Sequence, residues 1–312
     1  MKKYAFGVDI GGTTCKIGFF ETSGTLVDKW EIKTDTEDNG ENILSDVAKA
    51  VDNKLAQEGI SKEDVQGIGV GVPGPVRSDG VVNRCVNLGW GTVNVEEELG
   101  TLTGLKVKAG NDANVAALGE MWQGGAKGCR DVIMVTLGTG VGGGIIVDGK
   151  IVAGFNGAGG EIGHITVNND EIEACNCGQY GCLEQYASAT GIVRVAKRKL
   201  AKTSGETSLR KYEDLTAKDI FDEAKAGDAI ALDLVDEVCE ILGAALSNMA
   251  CVVNPEVIVI GGGVSKAGKI LIDNIQKHYI ETSFHACRDT RFELAGLGND
   301  AGMYGCVQML LD

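Results

Sequence analysis

The sequence predicts an α/β fold, and three observations support that prediction. Short apolar runs of β-like composition alternate with amphipathic helical patterns, as in proteins of this class. The 46 glycines cluster in short blocks directly after β-like runs, where the main chain can approach a ligand closely. Residues 6–20 and 134–147 share a pattern of strand, turn with glycine and threonine, and strand. This likeness indicates two similar halves around a cleft, unless two glycine-rich hairpins resemble each other by chance.

Periodicity places the individual elements. The β-like runs are residues 4–10, 16–20, 67–72, 132–137, 143–147 and 257–260. Helical spacing joins the apolar residues Ile43, Leu44, Val47, Val51 and Leu55, and also Ala229, Leu232, Val235, Val238, Ile241 and Leu242. We expect an N-terminal α/β domain over residues 1–115 and a C-terminal α/β domain over 116–299. A last helix at about 300–312 is expected to pack back on the first domain.

Composition excludes several classes of protein. The net charge is -15 and the pI is near 4.7, without a basic stripe, so neither nucleic acid nor an anionic membrane surface is an expected partner. No apolar run reaches the roughly 18 residues that cross a bilayer. The opening residues MKKYAFGVDI lead directly into a strand-like run without a secretory signal. We therefore expect a cytoplasmic protein.

The most specific chemical pattern lies in residues 164–184. His164 is followed by the segment CNCGQYGCLE, which contains Cys175, Cys177 and Cys182. Three thiols and an imidazole are the four tetrahedral ligands that structural zinc prefers. Disulfides and buried apolar thiols are the alternatives, but a reducing cytoplasm disfavours disulfides, and buried thiols describe the seven scattered cysteines better. We predict a structural Zn²⁺; four protein ligands leave no open position for zinc catalysis.

Three glycine-rich turns follow apolar strands and suit a nucleotide. They are residues 9–14 (DIGGTT), 138–140 (GTG) and 261–263 (GGG). Main-chain N–H groups and threonine hydroxyls in such turns suit phosphate oxygens. No GxxxxGK[ST] loop occurs, and no GxGxxG opens a helix after the first strand, which disfavours a dinucleotide site. Each turn alone is more typical of a plain hairpin; the three together, with Asp9 in the first, favour a nucleotide.

Several segments together resemble the ROK family of repressors, open reading frames and sugar kinases. They are DIGGTTCK (9–16), GVPGPV (71–76), NDANVAALGE (111–120), LGTGVGGG (137–144), EIGH (161–164) and CNCGQYGCLE (175–184). The resemblance extends from residue 4 through the closing GLGNDAGMYG and is greatest to the family's bacterial glucokinases. It implies an actin-like, hexokinase-type ATPase fold. Two α/β domains would flank a cleft that binds ATP and sugar, with a small zinc-binding loop at 164–184.

Asp112 is the candidate catalytic base. It follows Asn111 and precedes a helical pattern over residues 113–121, so it would lie at a helix N-terminus. The residues alone leave two roles open, a helix cap or a base that faces the cleft. The resemblance implies the second role, because the family's catalytic aspartate falls in this Asn–Asp pair. Such a base would accept the proton of a sugar hydroxyl during phosphoryl transfer.

The resemblance also implies which residues contact the ligands. The sugar-binding residues would be Gly71, Asn87, Asn111, Asp112, Glu161, His164 and Glu184. Their amide, carboxylate and imidazole groups can hydrogen-bond several hydroxyls of one ring, with His164 binding zinc through its other nitrogen. The alternatives are a solvated position for Glu184 and a purely metal-binding role for His164. The ATP-binding residues would be Asp9, which would hold Mg²⁺, together with Gly11, Gly12, Thr13, Thr14, Gly138, Thr139, Gly140, Gly261, Gly262 and Gly263.

The activity implied by the resemblance is ATP-dependent phosphorylation of glucose at its 6-hydroxyl, with Mg²⁺ accompanying ATP. A homo-oligomer, dimer or tetramer, is the family's usual state. The first alternative is a kinase for fructose, mannose, allose or N-acetylmannosamine, since one epimeric hydroxyl changes no motif. A repressor would carry a helix-turn-helix before the first strand, where only three residues precede Tyr4. A non-catalytic sugar sensor would lack the base or the phosphate turns, and both are present.

Overall fold

The computed structural model describes residues 2–311 and has an α/β architecture. Its strands are β1 (Tyr4–Ile10), β2 (Thr14–Glu21), β3 (Leu26–Lys33), β4 (Val65–Val72), β5 (Val81–Val82), β6 (Val93–Asn94), β7 (Val107–Asn111), β8 (Val132–Leu137), β9 (Val141–Val147), β10 (Lys150–Ile151), β11 (Val257–Gly261) and β12 (Arg291–Leu294). Its α-helices are α1 (Ile43–Glu58), α2 (Val95–Thr103), α3 (Asp112–Gln123), α4 (Glu184–Ala187), α5 (Ala189–Lys202), α6 (Ala217–Lys225), α7 (Ala229–Val253), α8 (Lys269–Thr282) and α9 (Ala301–Leu311). Each of the predicted β-like runs lies in a strand, so the fold-class prediction is confirmed.

Two five-stranded sheets have the same topology. Their strand orders are β3-β2-β1-β4-β7 and β10-β9-β8-β11-β12. In each sheet the central strand pairs antiparallel with the next strand in the chain. It pairs parallel with a strand reached through a helical crossover. The similar segments 6–20 and 134–147 form the equivalent hairpins β1–β2 and β8–β9, so their likeness reflects two similar halves.

The first sheet is covered on both faces. On one face, Phe6, Val8 and Ile10 pack in a cluster with the apolar side of α1 and α2. On the other face, Ala5 and Phe20 pack with α9. Helix α9 lies directly on the strands because Gly69 has no side chain; a Cβ there would lie 1.8 Å from the carbonyl oxygen of Cys306. Strands buried on both faces are almost continuously apolar, which explains the clear sequence signal of β1 and β4.

The second sheet packs against helices α5 to α8. Strand β11 is buried along its whole length. Helix α7 begins at Ala229 as the apolar pattern predicts and extends over 25 residues. Leu232, predicted to lie on its apolar face, is 43% exposed. Among residues 2–311, no helix combines the length and apolar character that crossing a bilayer requires.

Helix α3 lies between the two sheets. It packs along α9 of the first half and against β9 of the second. Ala117 and Leu118 join a cluster with Val132 and Met134 of β8. The predicted domain boundary near residue 115 falls within this helix, and the division at that residue stays a prediction. Since both halves contact α3, its first residue lies where they meet.

A small lobe, residues 162–187, extends from the second half. We call it the metal lobe. It contains a 3-10 turn at Ile162–His164, the isolated bridges Thr166–Cys182 and Ala174–Tyr180, and the short helix α4. Little regular structure is present in this lobe, but backbone hydrogen bonds join Val167 to Gly181 and Leu183 to Ile165, and side-chain contacts add to them.

Candidate active site

Asp112 is the first residue of α3, but it is not the residue that caps the helix. Asn111 is the N-cap: its Oδ1 accepts from the backbone N–H of Ala113 at 3.0 Å and of Asn114 at 3.1 Å. The Asn111 Nδ2 donates to the Gly74 carbonyl at 3.1 Å. Because Asn111 supplies the cap, the Asp112 side chain is exposed at the meeting point of the two halves. The geometry therefore leaves Asp112 available to a ligand.

Asp9 faces Asp112 across this junction. It is the penultimate residue of β1, and a Cβ at Gly302 of α9 would lie 2.9 Å from its Oδ2. Desolvation raises the pKa of Asp9 to about 6; the Lys16 charge lowers it and the Asp112 charge raises it. Desolvation also raises the pKa of Asp112, and the nearby Glu161 adds to the rise. Two carboxylates that line one cavity and have raised pKa values favour a cation or a proton beside them.

A cavity of about 560 Å³ lies beside these carboxylates, and we call it the cleft cavity. Its lining includes Asp9, Lys16 and Asp112 from the first half and the following helix. Gly262 and Gly263, which follow β11, line the opposite wall. The lining is completed by Ala113, Ala116, Met134, Thr136, Gly142, Ser265, Lys266, Ala295, Gly298, Asn299, Ala301 and Gly302. This cavity is large enough for a small phosphorylated ligand, and Lys16 and Lys266 supply positive charge.

A second cavity, of about 290 Å³, shares Gly263 and Lys266 with the cleft cavity. We call it the apolar side cavity. Ala217 and Phe221 of α6 line it together with Val264 and Ala267. The two cavities therefore adjoin, with charged residues near Asp9 and an apolar lining near Phe221, which suits a molecule with phosphates and a flat ring.

The other predicted phosphate turns line neither of these two cavities. Gly11, Gly12 and Thr13 connect β1 to β2, which begins at Thr14, and Gly12 and Thr13 are exposed. Gly138, Thr139 and Gly140 connect β8 to β9. Thr139 and Gly140 line a separate cavity of about 430 Å³ that also contains Glu184. Gly261 is buried at the end of β11.

The predicted sugar residues lie in both halves, and among them the charge of Glu161 acts on Asp112. Glu161 precedes the 3-10 turn of the metal lobe, His164 is the last residue of that turn, and Glu184 begins α4. The Oε1 of Glu184 lies 3.8 Å from Nδ1 of His164. Gly71 is buried at the end of β4, where a Cβ would lie 3.7 Å from Oδ1 of Asp9. Asn87 is exposed and lies beside Gly12, because a Cβ added at Gly12 would lie 3.4 Å from the carbonyl oxygen of Asn87.

The predicted metal ligands come together at one point. The ligand atoms of His164, Cys175, Cys177 and Cys182 all lie within 4.8 Å of one another. The Sγ atoms of Cys177 and Cys182 are 3.6 Å apart, and Sγ of Cys175 is 3.9 Å from Nδ1 of His164. A zinc tetrahedron with usual bond lengths has edges of about 3.5–3.8 Å. The donor set therefore fits zinc, and none of the cysteines within residues 2–311 forms a disulfide.

The pKa values of the three thiols in this cluster are shifted in different directions. Burial raises the pKa of the Cys175 thiol to about 12. The backbone N–H of Gln179 instead lowers the pKa of Cys177. Burial also raises the pKa of Cys182. A divalent cation offsets the cost of holding several thiolates together, which is why metal sites bind thiolates.

Glu171 anchors the metal lobe to α5, and its side chain is 1% exposed. Arg198 donates to its two oxygens at 2.8 and 2.9 Å, the Tyr186 hydroxyl donates at 2.6 Å, and Arg194 forms an ion pair at 2.7 Å. These hydrogen bonds hold the pKa of Glu171 well below its ordinary range, and those from Arg198 have the largest effect. Because both arginines lie on α5, this network fixes the segment that leads to Cys175.

The sequence model of the ROK family matches residues 5–312. The chain belongs to the ROK family. A glucokinase of Halalkalibacterium halodurans is 46% identical over 308 residues, which cover 97% of this chain and 93% of that protein. A ROK family glucokinase from Streptomyces griseus, solved in complex with glucose and AMPPNP, superposes with a TM-score of 0.76 at 32% identity and covers 98% of each chain. A xylose repressor of Caldicellulosiruptor bescii is 29% identical over 98% of this chain and 77% of the repressor.

Several residues of this ROK protein's cavities were not predicted from its sequence. Thr136, Asn299 and Ser265 line the cleft cavity, and Thr216 and Phe221 line the apolar side cavity. They stand in segments of ordinary composition, so no local pattern singles them out. The sequence GND at residues 298–300 was the available signal for Asn299, because this turn-forming segment lies directly before the last helix.

Proposed function

We propose that this ROK protein is an ATP-dependent glucokinase, which transfers the γ-phosphoryl group of ATP to the 6-hydroxyl of glucose. The observation that carries the proposal is that Asp112 and Asp9 line one cavity between two sheets of the same topology. The similarity to a glucokinase over nearly the full length of both chains supports it.

Asp112 would act as the general base. Its Oδ1 accepts a hydrogen bond from the N–H of Ala113 at 2.8 Å, and the residue lines the cleft cavity. Its raised pKa makes it a stronger base than an ordinary aspartate. It would accept the proton of the attacking hydroxyl as the oxygen–phosphorus bond forms and ADP leaves. Asp9 would hold Mg²⁺, which supplies charge neutralisation at the phosphates when bound.

ATP would occupy the two adjoining cavities. The phosphates would lie near Asp9 and Lys16, where positive charge and main-chain groups are available. The adenine would enter the apolar side cavity beside Phe221. The turns at residues 11–14 and 138–140 would complete the phosphate contacts when the two halves close on the substrates.

Glucose would lie on the metal-lobe side of Asp112. Asn111, Glu161, His164 and Glu184 supply both donors and acceptors for its hydroxyls, with Gly71 and Asn87 at the rim. Zn²⁺ would have a structural role, because binding to its four protein ligands would hold His164 and the segment before Glu184 in place.

We also propose that the protein is a cytoplasmic homo-oligomer, either a dimer or a tetramer. Light scattering of the purified protein tests its size.

A panel of sugars tests this function. ADP release would be measured with Mg-ATP and glucose, mannose, fructose, allose or N-acetylmannosamine. We expect the highest kcat/KM with glucose. A higher value with another sugar would contradict glucose as the substrate and retain hexose kinase activity.

Because a xylose repressor is also similar to this chain, the second candidate is a sugar-responsive regulator, which would bind sugar tightly and release no ADP.

A further inference from the structure

Glu120 is a fully buried carboxylate with no role in the proposed chemistry. It lies on α3 after Asp112, and its exposure is 0%. Within residues 2–311, no lysine, arginine or histidine forms an ion pair with it. An unpaired buried charge is unfavourable unless hydrogen bonds compensate it. Its environment must therefore supply donors.

The donors are main-chain N–H groups. The N–H of Gly125 donates to Oε2 at 2.7 Å, and the N–H of Gly296 donates to the same oxygen at 2.8 Å. The N–H of Leu297 donates to Oε1 at 2.9 Å. Hydrogen bonds to an ionised acceptor are stronger than neutral ones. Glycine permits the approach, because a Cβ at Gly124 would lie 1.9 Å from Oε2.

Two of these donors begin the segment between β12 and α9. This segment, residues 295–300, supplies Ala295, Gly298 and Asn299 to the cleft cavity. The carbonyl of Asn299 also accepts from Nζ of Lys16 at 3.4 Å. Glu120 therefore joins the helix that carries Asp112 to one wall of the cavity, although 176 residues separate it from Gly296 along the chain.

We propose that Glu120 is a positioning residue that fixes segment 295–300, and with it the nucleotide, relative to Asp112. The inference rests on the proposed kinase function. Glu120 contacts no substrate; it acts through the main chain of Gly296 and Leu297. A misplacement of about 1 Å between reacting groups can reduce turnover a hundredfold, so a fixed segment preserves the alignment of ATP with the base.

The test replaces Glu120 by Gln, which keeps the shape but presents an amide N–H₂ to N–H donors. We expect the KM for ATP to rise about tenfold and kcat to fall, with glucose affinity measured without nucleotide unchanged within twofold. Glu120→Asp keeps the charge but shortens the reach, so an effect in the same direction and of smaller size is expected; it carries the test if Glu120→Gln does not fold. Glu293→Gln, which removes an exposed carboxylate from the adjoining strand β12, is the control.

Two outcomes would overturn the inference. In one, both variants keep the wild-type KM for ATP and kcat. In the other, affinities for ATP and glucose fall together, which indicates a general loss of structure.

Failure of the proposed function is a separate result: the wild-type protein would then show no turnover. The dissociation constant for ATP alone would still be compared between wild type and variants, and equal values would contradict the positioning role.

Discussion

In the metal lobe, the predicted metal ligands and Glu171 make many of their contacts with other side chains, whereas beside the cleft cavity the buried Glu120 is held by main-chain N–H groups. His164 belongs to a cluster of four metal ligands, and Glu171 secures the same lobe through two arginines. Around the cleft cavity, Gly71 and Gly302 lie beside Asp9, and Glu120 is bound by three backbone N–H groups. The difference follows from the ligands. A sugar presents hydroxyls that directed side chains distinguish, while phosphates are recognised by main-chain N–H groups and charge.

Asp112, where both regions meet, should give the largest effect. Asp112→Asn removes the proton acceptor and keeps the shape, so kcat should fall about a thousandfold, or about 4 kcal/mol of barrier. Steady-state kinetics with glucose and Mg-ATP measure this, and titration of glucose should give nearly unchanged affinity. Asp64→Asn, which changes an exposed aspartate in a 3-10 turn, is the control. Near-normal turnover of Asp112→Asn would refute the role of base.

The Glu171 network tests how far the metal lobe depends on side chains. Glu171→Gln leaves Arg194 and Arg198 without their buried partner, and we expect a loss of about 2–3 kcal/mol in the free energy of unfolding. The value lies below that of a fully buried pair because the Arg198 side chain is 35% exposed. Denaturant unfolding measures it. Glu173→Gln is the matched control: it pairs with the same arginines but is 60% exposed, so a loss below about 1 kcal/mol is expected.

The same network should show a definite pH dependence. The pKa of Glu171 is lowered by folding, so its contribution is complete above its ordinary value of 4.5 and is lost as pH falls below it. The stability difference between wild type and Glu171→Gln should therefore shrink on acidification. A difference that stays constant between pH 7 and pH 3 would contradict the ion-pair account.

Removing one metal ligand should weaken sugar binding selectively. Cys177→Ser should lose bound zinc and raise the KM for glucose about tenfold, because the metal orients His164. Affinity for ATP should change less than twofold, since the cleft cavity is held by the main chain. Metal analysis and kinetics give both readouts, with Cys251→Ser, an exposed thiol outside the cluster, as the control. Normal zinc content with unchanged glucose affinity would disconnect the metal from sugar binding.

The smallest expected effect is the decrease of kcat/KM on the acid side of the pH profile. Folding raises the pKa of Asp9 from 3.8 to about 6, so this carboxyl becomes protonated earlier on acidification than an ordinary aspartate. At low Mg²⁺, kcat/KM should fall about fourfold between pH 7.5 and 5.5. Higher Mg²⁺ competes with the proton and should move this decrease to lower pH. A decrease that is independent of Mg²⁺ would separate Asp9 from the metal-binding step.

The same contrast explains what the sequence could predict. The two hairpins and the cysteine cluster are local, with most of their determinants in a few consecutive residues. The sequence therefore predicted the two similar halves, and the structure brings the four predicted metal donors together. Strand β3 was missed because it is an edge strand with exposed charged residues. The Glu171 network and Glu120 depend on partners 27 and 176 residues away, which no local period reveals. The roles assigned to the site residues stay predictions.

The most direct test of the central claim is ³¹P NMR of the reaction with Mg-ATP and glucose, run with wild type and with Asp112→Asn. Our account predicts that the wild type forms ADP and glucose 6-phosphate in equal amounts, and that Asp112→Asn forms neither at a comparable rate. ATP consumption without a sugar phosphate, or tight glucose binding with no ATP consumption, would contradict it.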